Sequence, residues 1–217
     1  MKDFDAVIFD MDGLIFDSER AAFACWREVA KTYGFDDITA LYHSVIGCNR
    51  GRVEKLVKEA FGEDFPFEYF REQVIALYTG RYGGGRMPLK PGAREILTFL
   101  RGKGIRTALA SSSDREIVLS LLDGAGLTEF FDGIVAGDMV KKSKPEPDIF
   151  LAACKLLGAA PERTFAVEDS FNGIRAAHAG GLRPIMVPDM LPADEEMRAL
   201  AETVEDSLLD VMRWLET

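Results

Sequence analysis

Two aspartates, Asp10 and Asp12, follow the short apolar run Val7-Ile8-Phe9 and precede Gly13. A run of β-branched and aromatic residues bounded by glycine predicts a strand buried on both faces, as in a parallel sheet. Side chains two positions apart share a face, so both carboxylates can reach one pocket at the end of the strand. Two neighbouring negative charges repel each other unless a cation lies between them. Mg²⁺ fits this pattern, because it binds one or two carboxylates and leaves its other positions to water and phosphate.

Further polar clusters follow later predicted strands, namely Ser111-Ser112-Ser113, Lys144 and Glu168-Asp169-Ser170. Parallel strands end at one edge of a sheet, where ligands bind, so we expect these groups to meet Asp10 and Asp12. A phosphomonoester dianion needs Mg²⁺ and a lysine to neutralise it, and hydroxyl or N–H donors to orient it. Each cluster alone is also typical of turns and helix caps. Their joint occurrence in order favours a site for phosphoryl transfer.

From Pro91 onward the sequence alternates between strand-like and helix-like segments. Strands are predicted at 106–110, 134–136, 164–167 and 184–187. Helices are predicted at 91–104, at 114–122 with an end at Gly124, and at 146–157, 171–179 and 207–214. Repeated units of this length predict an α/β fold with a Rossmann-like parallel sheet flanked by helices, and the opening strand belongs to that sheet.

A long helix-like block separates the opening strand from this alternating part. Its predicted helices are 21–33, 38–45, 52–61 and 67–82. A block this long cannot be a loop inside a compact domain. We therefore expect an inserted all-helical domain at 17–87 and a core domain at 1–16 and 88–217. Gly83-Gly84-Gly85 favours a flexible hinge at the second connection, although a solvated loop tip has the same composition.

The composition limits the classes of function. The chain has 217 residues, of which 47% are hydrophobic, and a formal net charge of −10. That charge disfavours nucleic-acid binding, which needs clustered Lys and Arg. Cys25, Cys48 and Cys154 fit neither a disulfide framework nor a CxxC metal site. No leader-like segment opens the sequence and no apolar stretch approaches the length of a membrane span. We expect a soluble cytoplasmic protein without nucleic-acid or membrane partners, and favour a monomer.

The ordered motifs resemble those of the haloacid dehalogenase superfamily. The matching segments are Asp10-Met11-Asp12-Gly13-Leu14 with Asp17-Ser18, Ala110-Ser111-Ser112, Lys144-Pro145, and Glu168-Asp169-Ser170 with Asn172-Gly173. The likeness covers essentially the whole chain and is closest to the phosphatases with a helical cap after the first motif, a group that includes beta-phosphoglucomutase. It implies a Rossmann-like core with a helical cap. It also implies Mg²⁺-dependent hydrolysis of a small phosphorylated metabolite, such as a sugar phosphate, through an aspartyl phosphate.

The resemblance also implies catalytic and metal-binding roles for particular residues. Asp10 would attack phosphorus and become a transient aspartyl phosphate. Asp12 would protonate the leaving alkoxide and then accept a proton from the hydrolytic water. Mg²⁺ would be bound by Asp10, the Asp12 carbonyl and Asp169, with Glu168 nearby.

Further residues would bind the substrate. The resemblance implies that Ser111 and Lys144 bind the phosphoryl oxygens, helped by the backbone N–H of Ser112. Arg50, in Gly47-Cys48-Asn49-Arg50, aligns with an arginine that binds a substrate phosphate, although a solvated arginine at a helix start fits equally well. The cap would close over the substrate and exclude water.

Several other functions remain alternatives. A sugar-phosphate mutase is the first, but mutases of this group carry a histidine at the position of Ala22. Dehalogenation needs neither a second acid nor Mg²⁺, so Asp12 and the Glu168-Asp169 pair count against it. A phospho-receiver module would not need so large an insertion, whereas a non-catalytic phosphate-binding module stays open. The chain has no GxxxxGK[ST] motif, and an EF-hand loop starting at Asp10 would need glycine at Ile15.

Overall fold

The computed structural model describes residues 2–46, 48 and 50–217, and the chain forms two compact units. The core unit comprises the residues up to Asp17 together with Gly84–Thr217. The inserted unit comprises Ser18–Gly83. Among the described residues, no helix combines the length and the apolar character needed to cross a lipid bilayer.

A single parallel sheet organises the described part of the core unit. Its strands are β1 (Ala6–Phe9), β2 (Arg106–Ala110), β3 (Gly133–Val135), β4 (Thr164–Glu168), β5 (Arg183–Met186) and β6 (Thr203–Val204). Their spatial order is β3-β2-β1-β4-β5-β6. The central strand β1 pairs with β2, where Ile8 lies opposite Ala108, and with β4, where Ile8 lies opposite Ala166. The strand order reverses beside β1, which is where sheets of this kind bind ligands.

Helices make up the rest of the regular structure. Those of the described residues are α1 (Ser18–Thr32), α2 (Thr39–Val45), α3 (Arg50–Phe61), α4 (Phe67–Tyr82), α5 (Ala93–Gly102), α6 (Arg115–Ala125), α7 (Asp148–Leu157), α8 (Phe171–Ala179), α9 (Glu195–Leu200) and α10 (Leu208–Glu216). Helices of the core unit cover the sheet on both faces. Phe150 of α7 packs in the same buried cluster as Ile8 and Ala166, whereas Phe165, which points to the opposite face, contacts Trp214 of α10. The predicted α/β fold class is confirmed.

The element boundaries differ from the predicted ones in a few places. The predicted end of a helix at Gly124 is wrong: α6 continues to Ala125, and Gly126 adopts the left-handed conformation, with a φ of 62°, that ends it. Helix α9 and strand β6 were not predicted, because six and two residues are too few for periodicity to be visible.

The inserted unit is all-helical in its described residues and has its own aromatic core. Phe70 of α4 is fully buried, with its ring centroid 5.2 Å from that of Trp26 and 5.5 Å from that of Phe65. Phe35 and Phe61 stack with a centroid distance of 3.7 Å and an interplanar angle of 13°. Close-packed rings of this kind bury large apolar areas and stabilise a small unit.

Replacing Phe70 with alanine is expected to lower the free energy of unfolding by about 3–5 kcal/mol, because it leaves a cavity among the neighbouring rings. Tyr69 precedes it on α4 but is 60% exposed. Tyr69→Ala is therefore the matched control, with an expected loss below about 0.5 kcal/mol. Urea unfolding followed by tryptophan fluorescence measures both variants, since Trp26 lies beside Phe70. Equal losses would contradict a core role for Phe70.

The two segments of the core unit that lead to the inserted unit pair with each other. Phe16 and Leu89 form an antiparallel bridge. The Asp17 N–H donates to the Pro88 carbonyl at 2.9 Å, and the Lys90 N–H donates to the Ile15 carbonyl at 2.9 Å. The chain therefore leaves and rejoins the core unit at one place. The predicted hinge function of the glycine run beside it stays a prediction.

Candidate active site

Strand β1 carries Asp10 to the carboxyl edge of the sheet, between the ends of β2 and β4. The Asp10 N–H donates to the Val167 carbonyl at 3.0 Å, which extends the pairing with β4 one residue beyond β1. After β2, the Ser111 N–H donates to the Val135 carbonyl at 3.1 Å. The Asp10 and Ser111 side chains are both buried. The parallel register thus brings these residues to one edge.

The amino group of Lys144 lies between two carboxylates. Its Nζ donates to Asp10 Oδ1 at 2.5 Å, to Glu168 Oε1 at 2.5 Å and to the Ala110 carbonyl at 3.1 Å. The Lys144 side chain is only 6% exposed, and Nζ lies 5.0 Å from the centroid of the Phe150 ring. Three oxygen acceptors and a buried stem hold this ammonium group in one position. The structure therefore brings Asp10, Lys144 and Glu168 into direct contact.

The second oxygen of Glu168 binds the start of helix α8. Oε2 accepts hydrogen bonds from the Asp169 N–H at 3.1 Å, the Ser170 N–H at 3.0 Å and the Ser170 hydroxyl at 2.9 Å. The Ser170 hydroxyl oxygen in turn accepts from the Gly173 N–H at 3.1 Å and caps α8. Glu168 thus joins Lys144 to the first turn of α8.

Asp12 is half-buried and is held by serines of the loop after β2. The Ser113 hydroxyl donates to Asp12 Oδ2 at 2.9 Å, and the Ser111 hydroxyl lies 3.4 Å from the same oxygen. The Ser113 N–H donates to Ser111 Oγ at 3.1 Å. Ser112 is exposed. The contact of Ser113 with Asp12 was not predicted, and its only signal in the sequence is the serine run itself.

The charges around Asp10 change its acidity. The pKa of Asp10 is raised to about 8, and burial is the largest cause. The positive charge of Lys144 opposes this rise, whereas the Glu168 and Asp12 carboxylates add to it. Burial lowers the pKa of Lys144, but the charges of Asp10 and Glu168 outweigh that effect and raise it above its ordinary value. Lys144 therefore stays charged, and one lysine does not neutralise the surrounding carboxylates.

This excess of negative charge fits a divalent cation. Asp10, Glu168 and Asp169 each offer an oxygen, and these three atoms lie within 4.8 Å of one another. Mg²⁺ prefers such oxygen ligands and would favour the ionised form of Asp10. The predicted ligands Asp10 and Asp169 are thus close enough to share an ion.

Arg50, the predicted substrate ligand, lies in the inserted unit. It is the first residue of α3, and its guanidinium donates to Glu68 at 2.6 Å, with 63% of its side chain exposed. Gly47 and Asn49, which belong to the same predicted motif, lie outside the described residues. The role of Arg50 stays a prediction.

Comparisons with known proteins agree on one family. A model for haloacid dehalogenase-like hydrolases matches residues 4–181. The phosphorylated carbohydrates phosphatase of Thermotoga maritima is 34% identical over 181 residues, which cover 83% of each chain.

Similar solved structures agree with this family. A HAD family hydrolase from Deinococcus radiodurans, crystallised with phosphate and sodium, is 28% identical with a TM-score of 0.85, covering 98% of this chain and 95% of that one. The beta-phosphoglucomutase of Clostridium difficile is 25% identical with a TM-score of 0.71, covering 98% and 96%. These likenesses confirm the predicted resemblance to this family and its fold.

Proposed function

The chain belongs to the haloacid dehalogenase-like hydrolase family, and on that premise we propose that it is a Mg²⁺-dependent phosphatase of small phosphorylated carbohydrates. The observation that carries this proposal is the buried contact of Lys144 with Asp10 and Glu168, beside Asp169. This arrangement supplies a nucleophilic carboxylate, a fixed cation for phosphoryl oxygens and an oxygen-rich metal site. The carbohydrate substrate is inferred from the relative in Thermotoga maritima that is named for it.

In the proposed reaction, the Asp10 carboxylate attacks phosphorus and the bond from phosphorus to the ester oxygen breaks. Asp12 protonates the leaving oxygen, and its position is supported by the Ser113 hydroxyl at 2.9 Å. A water molecule then attacks the aspartyl phosphate, gives its proton to Asp12 and releases phosphate, which regenerates Asp10. The water adds one oxygen and one proton to phosphate, and the alcohol keeps the proton from Asp12.

Several groups would stabilise the charge that moves in this reaction. Lys144 and the Ser111 hydroxyl, with the Ser112 N–H, would bind the phosphoryl oxygens. Mg²⁺, held by Asp10, the Asp12 carbonyl and Asp169 with Glu168 nearby, would neutralise phosphoryl charge when bound. Preorganised donors of this kind supply a large part of the rate enhancement in acyl and phosphoryl transfer.

The inserted unit is proposed to serve as a cap that selects the substrate. Within it, Arg50 pairs with Glu68 across an exposed contact. Exposed ion pairs contribute little to stability, because water and salt screen them. A phosphate dianion could therefore replace Glu68 as the partner of Arg50.

Removal of the metal is expected to abolish turnover. Phosphate release from p-nitrophenyl phosphate and a panel of sugar phosphates should fall to background in EDTA and return when Mg²⁺ is added in excess. Mg²⁺ should also raise the Tm of the wild type, because it binds only the folded site, and raise that of Asp169→Asn much less. Asp206→Asn, at an exposed aspartate, is the matched control. Activity that is insensitive to EDTA, or no turnover of any ester, would contradict the proposal.

A sugar-phosphate mutase is the second candidate, favoured by the likeness to beta-phosphoglucomutase. Ala22 stands where the resemblance leads us to expect the histidine of the mutases, which favours hydrolysis. The same preparation can be given glucose 1-phosphate and a bisphosphate primer. Isomerisation faster than phosphate release would reverse the order of the two candidates.

A further inference from the structure

Gly173 occupies a place in helix α8 where a side chain has no room. A methyl group built on its Cα would lie 1.9 Å from both Cδ and Oε1 of Glu168 and 2.3 Å from Oε2. Real Cβ atoms do not approach heavy atoms this closely. By contrast, Gly102 of α5 has open space at the same position. Glycine is disfavoured in helices relative to alanine, so its presence at 173 calls for a local reason.

The Glu168 carboxylate that fills this space also holds the phosphate-binding lysine. Its Oε1 accepts from Lys144 Nζ at 2.5 Å, while Oε2 accepts from Ser170 at the start of α8. Glu168 is fully buried, so its carboxylate cannot swing into solvent to make room for a larger residue. Any shift of this carboxylate would move or release one of the three acceptors that hold the Lys144 ammonium group.

We propose that Gly173 is a positioning residue for Lys144. The missing side chain lets the Glu168 carboxylate lie against α8, and from there it holds Nζ of Lys144 beside Asp10. The effect on catalysis rests on the proposed phosphatase function. The packing of Glu168 against Gly173 can be tested without it.

The packing test uses thermal unfolding in two backgrounds. Gly173→Ala should lower the Tm of the wild-type protein, whereas Gly102→Ala, the matched control, should leave it unchanged or slightly raised. In Glu168→Ala the carboxylate is gone, so adding Gly173→Ala should raise the Tm, because alanine is the better helix former. If Gly173→Ala alone does not fold, a folded double variant with a Tm at or above that of Glu168→Ala supports the proposal. An equal fall of Tm in both backgrounds, or a double variant that does not fold, would overturn it.

The catalytic test follows kcat/KM for p-nitrophenyl phosphate with Mg²⁺, and the inhibition constant of inorganic phosphate. Gly173→Ala should lose about 10²-fold in kcat/KM, as for a displaced charge-stabilising group, and should bind phosphate more weakly. In the Glu168→Ala background it should cause no further loss of either quantity. The positioning role would be overturned if Gly173→Ala lowered kcat/KM by the same factor in the wild-type and Glu168→Ala backgrounds. It would also be overturned if Gly173→Ala were as active as Gly102→Ala.

A wild-type protein without turnover would refute the proposed phosphatase function alone. The positioning role would then be read from the affinity for inorganic phosphate, measured by calorimetry on the wild type, Gly173→Ala, Glu168→Ala and the double variant. The role is supported if Gly173→Ala weakens phosphate binding in the wild-type background but causes no further weakening in the Glu168→Ala background. Unchanged binding in Gly173→Ala overturns it.

Discussion

Asp10→Asn is expected to abolish hydrolysis, with kcat reduced by at least about 10⁴-fold, because an amide cannot replace the attacking carboxylate. The measurement is steady-state phosphate release with saturating Mg²⁺, using a sugar phosphate that the wild type hydrolyses. Rapid acid quenching should recover a phosphorylated aspartate from the wild type and none from the variant. Asp206→Asn, which makes the same change at an exposed position, should keep full activity.

The loss in Asp10→Asn should not come from unfolding. Burial raises the pKa of Asp10 to about 8 from its ordinary value of 3.8, so folding disfavours the ionised carboxylate. Without metal, this group's contribution to stability is therefore complete below pH 4 and declines as the pH rises toward 8. Asparagine does not ionise, so the metal-free variant should have a Tm at pH 8 equal to or above that of the wild type. Full activity of Asp10→Asn, or a Tm below that of the metal-free wild type at pH 8, would contradict this account.

Among the substitutions, Lys144→Met is expected to have the second largest effect, lowering kcat/KM by about 10²–10³-fold, as for the loss of a preorganised charge donor. It also removes the cation that lies between Asp10 and Glu168 at 2.5 Å from each. Removing one partner of a buried ion pair costs about 3–5 kcal/mol of stability, because a buried charge is left without compensation. Urea unfolding and steady-state kinetics on the same preparation measure the two effects.

The pH dependence separates this charge effect from a loss of packing. In Lys144→Met the buried Asp10 carboxyl, whose pKa is already raised, can take up a proton at low pH, so the loss of stability should be smaller at pH 5 than at pH 8. A loss from packing alone would be the same at both values. Lys142→Met is the matched control, since Lys142 pairs with Glu146 across an exposed 3.5 Å contact and should contribute little. Equal effects of the two substitutions would contradict the assigned role of Lys144.

Much of the fold follows from local patterns. The apolar run at 7–9 and the alternation after Pro91 predict the parallel sheet, because such periodicities depend only on which side chains face the core. The bounds of α4 (Phe67–Tyr82) and α8 (Phe171–Ala179) are as predicted. The end of α6 is not, since Gly124 and Gly126 are equally good candidates until the backbone shows which one is left-handed.

The part of the candidate site that depends on sheet topology is predictable from the sequence. Parallel strands end at one edge, and this is why Asp10 and Lys144 meet although 134 residues separate them. The contact between Ser113 and Asp12 depends on the turn after β2, and the contact between Gly173 and Glu168 depends on side-chain direction. Neither follows from residue spacing, so both are visible only in three dimensions.

The pairing of Phe16 with Leu89 has a consequence for how the inserted unit can be replaced. The two connecting segments that lead to and from the inserted unit are adjacent there. Because of this, replacing the inserted unit with another sequence need not alter the order of β1–β6. Under the proposed function, substrate selection would then lie in a segment that is replaceable separately from the residues proposed for the reaction. Grafting the corresponding helical segment of a relative at this place would test whether the inserted unit selects the substrate, as proposed.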